Sequence, residues 1–122
     1  MNESGGPVAA LAAYAKTPVE RLVAVHDDLD LEFGTVRVKQ GGGDGGHNGL
    51  RSLRRSLGSG DFYRARVGIG RPPGLQDPAD YVLSRFTAAQ RRNLSEIITR
   101  TADAVEELVR SGLTTTQNRF HA

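Results

Sequence analysis

Thr35-Val36-Arg37-Val38-Lys39-Gln40-Gly41-Gly42-Gly43-Asp44-Gly45-Gly46-His47-Asn48-Gly49-Leu50 is the stretch that decides the fold class. Val36 and Val38 alternate with Arg37 and Lys39, and that period of two predicts a strand with one buried face and one open, basic face. A glycine loop follows. Beyond it Leu50, Leu53 and Leu57 recur at helical spacing, with Arg51, Arg54 and Arg55 outside the stripe. Strand, loop and helix in succession make one unit of an α/β protein.

Upstream, Ser4 to Lys16 reads as a helix. Ser4 stands where it can cap it, Pro7 is tolerated in the first turn, and Val8, Leu11, Ala12 and Ala15 form an apolar face. Leu22 to Val25 predicts a short buried strand that ends at His26-Asp27. Downstream, Tyr63, Ala65, Val67 and Ile69 alternate with Arg64, Arg66 and Gly68, predicting a second strand with an open basic face. Arg71 to Pro78 contains three prolines and reads as a loop, and Ala79 to Arg85 as a short helix. Thr87 with Gln90 forms a capping-box pair. It opens a long helix in which Leu94, Ile97, Ile98, Thr101, Ala104, Val105, Leu108 and Val109 keep helical spacing up to Gly112. Residues 113 to 122 read as a polar tail. No repeat or linker divides the chain, so residues 1–122 are expected to form one domain. An α/β domain usually opens with a strand, whereas the first element here is a helix, and this predicts that the opening strand is missing.

The 122 residues are enough for one core, and 38% hydrophobic with 25% charged residues is a globular balance. No run of about eighteen apolar residues occurs, so no membrane-spanning helix is expected. The N-terminus shows no signal-peptide pattern. The absence of cysteine removes disulfides and thiolate metal sites and is compatible with the cytoplasm. The three histidines lie too far apart in sequence for a local metal motif. Charge is unevenly placed: Asp27, Asp28, Asp30 and Glu32 cluster without a base, while the stretch from Arg51 to Arg71 holds six arginines and one acid, Asp61. A basic surface beside a carboxylate cluster suits an enzyme that holds a polyanion. Arginines that solvate exposed helix and strand faces give the same pattern.

Gly41, Gly43 and Gly46 formally match G-x-G-x-x-G between a strand and a helix. A dinucleotide-binding domain would have a first strand buried on both faces and a ribose-binding acid about twenty residues on. The strand here alternates and Asp61 comes too early. No Gly-Lys-Ser/Thr follows, which excludes a Walker A loop. A mobile backbone rich in exposed N–H groups, running into a helix N-terminus, can accept phosphate or carboxylate. Asn48 reads either as the helix cap or as a group holding water or a substrate carbonyl. His47 is a candidate general base. Adjacent strand residues face opposite ways, so Asp27 is expected to orient a histidine other than His26.

Three strings together carry a resemblance. Met1-Asn2-Glu3-Ser4-Gly5, His26-Asp27-Asp28-Leu29-Asp30-Leu31 and Gly41 to Leu50 resemble, in order and spacing, the bacterial peptidyl-tRNA hydrolases. Asp61 to Pro72 and the ending Asn118-Arg119-Phe120-His121 extend the likeness to the whole chain. The resemblance implies an α/β globule with a mixed, twisted sheet flanked by helices, monomeric, cytoplasmic and without metal or cofactor. It implies hydrolysis of the ester that joins a peptide to the 3′ ribose of tRNA, with peptidyl-tRNA as partner. Asp27 matches the aspartate that holds the catalytic histidine, and Asn2 and Asn48 match the asparagines that hold substrate and water. Gly45, Gly46 and His47 fall in the substrate loop, and Arg37, Lys39 and Arg66 fall where basic residues grip tRNA phosphate. Family members begin with a strand ending in Gly-x-x-Asn-Pro-Gly, followed by a Thr-Arg-His-Asn segment that bears the catalytic histidine. Neither string occurs here, and neither His26 nor His47 matches that histidine. The expectation is therefore a chain lacking the family's N-terminal strands and the catalytic base. It would be prone to self-association and either inactive or a tRNA-binding module without turnover.

Overall fold

The computed structural model describes residues 3–71 and 87–121. Among these residues three strands, β1 (Val23–Asp28), β2 (Val36–Gln40) and β3 (Tyr63–Gly68), form one sheet in the order β1-β3-β2. The peptide N–H groups of Tyr63 and Ile69 donate to the carbonyls of Leu22 and Asp28, so β3 runs parallel to β1. The Gly41 N–H donates to the Phe62 carbonyl and the Gly68 N–H to that of Thr35, so β3 runs antiparallel to β2. The sheet is mixed. Among the described residues four α-helices accompany it: α1 (Gly5–Tyr14), α2 (Asn48–Leu57), α3 (Ala88–Ser111) and α4 (Leu113–Phe120), with a 3₁₀ turn at Val19–Arg21. The expected loop of residues 72–78 and helix of residues 79–85 lie outside the described residues. No described helix is long and apolar enough to cross a membrane.

The chain divides into two compact units, Met1–Ala24 with Lys39–Arg64, and Val25–Val38 with Ala65–Ala122. The core of the first is Leu50, Leu53 and Phe62, with Val8, Val19, Leu22, Ala24 and Leu57 packed against it. Each leucine or phenylalanine buried in this way contributes about 1.5–3 kcal/mol. Helix α1 meets α2 at Gly5, whose N–H donates to Ser52 Oγ at 2.9 Å. A Cβ at Gly5 would stand 2.1 Å from the Ser52 carbonyl oxygen, so the close approach requires glycine. The packed stripe of α1 runs through Gly5, Val8, Ala9 and Ala12. Leu11 and Ala15, expected inside, face solvent.

In the second unit Val36 and Val38 are fully buried, as the alternation predicted, together with Ala65, Ala104, Leu108 and Phe120. Helix α3 has the expected capping box, with Gln90 N–H to Thr87 Oγ1 at 3.1 Å and Thr87 N–H to Gln90 Oε1 at 2.9 Å. Its buried residues are Ala104 and Leu108, while Ile98 and Val109, read as inward, are 59% and 77% exposed. The stripe that α3 buries is narrower than its apolar spacing suggested. The expected polar tail is instead helix α4, which buries Thr116 and Phe120. Its polar residues spend their hydrogen bonds on the sheet: Gln117 Nε2 donates to the Val38 carbonyl at 3.2 Å, and the Val38 N–H donates to His121 Nε2 at 2.9 Å. Two side chains thus stand where a neighbouring strand would pair with β2.

Two strand readings change. Strand β1, expected buried, has Val25 49% exposed and lies at an edge of the described sheet. Strand β3 does not present Arg64 on an open face. It is the central strand, and Arg64 and Ala65, adjacent and pointing to opposite faces, are both 0% exposed.

Candidate functional site

The glycine loop is held from two sides within the first unit. Gly45 and Gly46, at φ 57° and 83°, form a tight turn between Asp44 and His47. The His47 N–H donates to the Asp44 carbonyl at 2.8 Å, and the Gly46 N–H donates to Asp44 Oδ1 at 3.0 Å. Two successive positive φ angles are what glycine supplies without steric cost. The Gly46 hydrogen bond, more than the nearby Arg51 and Arg54, holds the Asp44 carboxyl below its ordinary pKa. Asp44 Oδ2 lies 3.7 Å from Arg51 and 3.6 Å from Arg54 on α2.

From the other side Arg64 donates through Nη1 to the Gly43 carbonyl and through Nη2 to those of Gly42 (2.8 Å) and Gly60 (3.0 Å). Its guanidinium lies 4.6 Å from the Phe62 ring centroid. Arg64 is thus a buried clamp that fixes carbonyls of the loop.

Helix α2 is capped by His47, not Asn48: His47 Nδ1 accepts the Leu50 N–H at 3.2 Å. With Nδ1 serving as acceptor, the neutral ring carries its proton on Nε2. Asn48 is the first residue of the helix and is exposed. Its amide is not consumed by capping, which leaves the substrate-holding reading of that residue.

In the second unit Asp27 is half-buried on β1, and buried His26 precedes it. His26 Nδ1–H donates to the Asp27 backbone carbonyl at 2.8 Å. The acidic run is largely engaged. Asp28 Oδ1 accepts the Asp30 N–H at 2.8 Å, Arg66 lies 3.5 Å from Asp28 Oδ2, and Arg71 Nε donates to Asp30 Oδ1 at 2.9 Å. Arg37 and Arg66 are half-buried. Burial first, and then the charges of Arg37 and Arg66, hold His121 below the ordinary histidine pKa.

Asp27, Arg37 and Arg66 belong to the second unit, and Lys39, Gly45, Gly46, His47 and Asn48 to the first. Asn2 lies outside the described residues. Sequence reading missed Arg64 as loop clamp, Asp44 as turn former and the Gln117–His121 pair. The Asp-Gly signal at Asp44-Gly45 was available for the second of these. For Arg64 no local signal exists, because an arginine in an alternating strand reads as solvent-facing. The dinucleotide reading finds no support: the strand before the glycine loop is antiparallel to its neighbour, whereas that fold requires parallel pairing.

Comparison with known proteins gives one consistent result. The family model described as peptidyl-tRNA hydrolase matches residues 1–122. The chain is similar to curated peptidyl-tRNA hydrolases of Kineococcus radiotolerans, at 58% identity, and of Frankia alni, at 57%. Both matches cover 100% of this chain and 62% of the relative. The crystal structure of peptidyl-tRNA hydrolase from Acinetobacter baumannii superposes with a TM-score of 0.86 at 31% identity, over 100% of this chain and 62% of that one. The chain therefore spans 62% of the length of these curated relatives.

Proposed function

Because the chain belongs to the peptidyl-tRNA hydrolase family, we propose that it serves hydrolysis of the ester joining a peptide, or an N-acyl amino acid, to tRNA. Such cleavage returns tRNA from stalled translation. The observation that carries this reading is a family match running through all of residues 1–122. In the proposed site the Asp27 carboxylate accepts a hydrogen bond from an imidazole N–H and stabilises the cation formed when that imidazole takes a proton from water. Asn48, with Asn2, holds the water and the scissile carbonyl. Gly45, Gly46 and His47 shape the loop beside the substrate. Arg37, Lys39 and Arg66 take tRNA phosphates. The cytoplasm is the compartment this reading implies, and a monomer is the state it implies for the family, with self-association open to the 122-residue chain.

None of the three histidines serves as base in this reading: the ring lone pair of His47 and of His121 accepts a backbone N–H, and His26 is buried. His47 Nδ1 caps α2, His26 Nδ1 is bound to the Asp27 carbonyl, and His121 Nε2 is bound to the Val38 N–H. A second reading is a tRNA-binding module without turnover, with Arg37, Lys39 and Arg66 as its phosphate contacts.

The deciding experiment incubates N-acylated aminoacyl-tRNA with the 122-residue chain and with the same chain preceded by the family's histidine-bearing segment. Cleavage that depends on that segment and falls about 10²–10⁴-fold with Asp27→Ala supports the hydrolase reading. Salt-dependent tRNA binding with no cleavage in either protein selects the second. Cleavage by the 122 residues that survives Asp27→Ala and disappears with His47→Ala overturns the assignment of roles.

A further inference from the structure

Within the second unit lies a pocket of about 460 Å³ whose wall includes Phe33, Arg37, Ile97, Arg100 and His121. Its size falls in the range of roughly 300–1,000 Å³ of small-molecule sites and exceeds what a bare anion needs. The polar groups of the wall differ in how far the protein already uses them. Arg37 Nε is buried with no hydrogen-bond partner among the described residues, a state it shares with Nε of Arg64 and Arg66, but of the three only Arg37 lines this pocket. A buried donor left in that state is costly unless a ligand or solvent meets it. Arg100 is held in place, since one Nη donates to the Phe120 carbonyl at 3.3 Å and its guanidinium lies 5.2 Å from the Phe120 ring centroid. A guanidinium anchored through one nitrogen keeps other N–H groups to offer. His121 accepts the Val38 N–H at Nε2, so its neutral ring carries the proton on Nδ1 and adds a further donor to the wall.

Charge and shape narrow the ligand. Glu96 also lines the pocket. Two guanidinium groups against one carboxylate leave a single net positive charge, which matches one phosphodiester and disfavours a triphosphate. A carboxylate is also an acceptor for a ribose hydroxyl, whereas phosphate alone has no use for it. Phe33 and Ile97 supply apolar surface for a sugar or base.

We propose that this pocket holds one nucleotide unit of an RNA strand, with its phosphodiester on Arg37 and Arg100, its ribose hydroxyl at Glu96, and its sugar or base against Phe33 and Ile97. The assignment deepens the peptidyl-tRNA reading and rests on it for the source of the strand. It extends the tRNA contact surface from Arg37 on β2 to α3, which no sequence reading had included.

The test titrates the 122-residue chain with the diribonucleotide UpU, its deoxy analogue dTpdT and inorganic phosphate. It follows the Nε–H resonances of Arg37 and Arg100 and the ring resonances of His121. UpU is expected to shift all three and to bind more tightly than dTpdT, with inorganic phosphate weaker still. Arg100→Gln, which keeps a donor for the Phe120 carbonyl but removes the charge, is expected to weaken UpU about tenfold. It should also lower the log–log salt slope of tRNA binding by about one. Equal responses to UpU and phosphate would reduce the site to an anion hole and overturn the nucleotide assignment. Unmoved pocket resonances in a chain that still binds tRNA would overturn the pocket while leaving the family function standing. Pocket binding of UpU without any binding of tRNA would support the pocket and count against the peptidyl-tRNA reading.

Discussion

Arg64 donates to the carbonyls of Gly42, Gly43 and Gly60 from a fully buried position. Arg64→Met fills much of the same space and leaves three carbonyls without a partner. At roughly 1–3 kcal/mol for each buried acceptor left unsatisfied, the expected loss is about 3 kcal/mol or more, read from urea unfolding beside the parent. A loss under about 1 kcal/mol would mean that water replaces the guanidinium. The substitution should also loosen the glycine loop, seen as faster amide exchange at Gly42 and Gly43. Arg66, two residues on, is expected to behave differently: it is half-buried beside Asp28, and its charge belongs to the proposed phosphate contacts. Two arginines of one strand thus have unrelated tasks, which their spacing does not reveal.

Helix α1 seats on α2 through a contact that leaves no room for a methyl group at Gly5. Gly5→Ala gains helix propensity but must push the Ser52 backbone away, and the expected net cost is about 1–3 kcal/mol by thermal or urea unfolding. A stabilised variant would show that α1 shifts without penalty. Helix α4 is fastened to β2 through Gln117 and His121. Burial and the charges of Arg37 and Arg66 hold His121 below its ordinary value of 6.5, so the unfolded chain binds that proton more readily than the folded one. The sign follows: the stabilisation is complete above 6.5 and is lost as the pH falls below it toward the folded value. Urea midpoints measured across that window should decline with acidity in the parent. The decline should flatten in His121→Gln, whose side-chain oxygen can accept the Val38 N–H without titrating. An equal decline in both would remove His121 from the account.

At the scale of the molecule, RNA binding is expected to be electrostatic and additive. Single replacements Arg37→Ala, Lys39→Ala and Arg66→Ala should each reduce the log–log salt slope of tRNA binding by about one. A slope that none of them changes would separate these residues from the RNA. Strand β1 has one neighbour, β3, in the described sheet, and Val25 on it is exposed. Such an edge is a template for pairing between chains, so the 122-residue chain is expected to self-associate with rising concentration in sedimentation experiments. A single monomeric boundary at all concentrations would refute this. The α/β class was legible because two patterns with different periods, Val36/Val38 and Leu50/Leu53/Leu57, stand on either side of a glycine loop. The capping box of α3 and its end at Gly112 were legible for the same reason, since both are short-range chemistry.

By itself, then, the sequence determined what depends on neighbours along the chain: strand β2 and its buried valines, the start and end of α3, and the strings that carry the family. Tertiary structure decided whatever depends on the partner found across space. It made β3 the central strand, which buried Arg64 and turned a basic face into a loop clamp. It narrowed the stripe of α3 and left Ile98 and Val109 in solvent. It brought Gln117 and His121 to the edge of β2, so that an apparent tail became a helix with a task. Periodicity specifies which residues share a face, but the burial of that face is set by the elements that pack on it, and these lie tens of residues away in sequence.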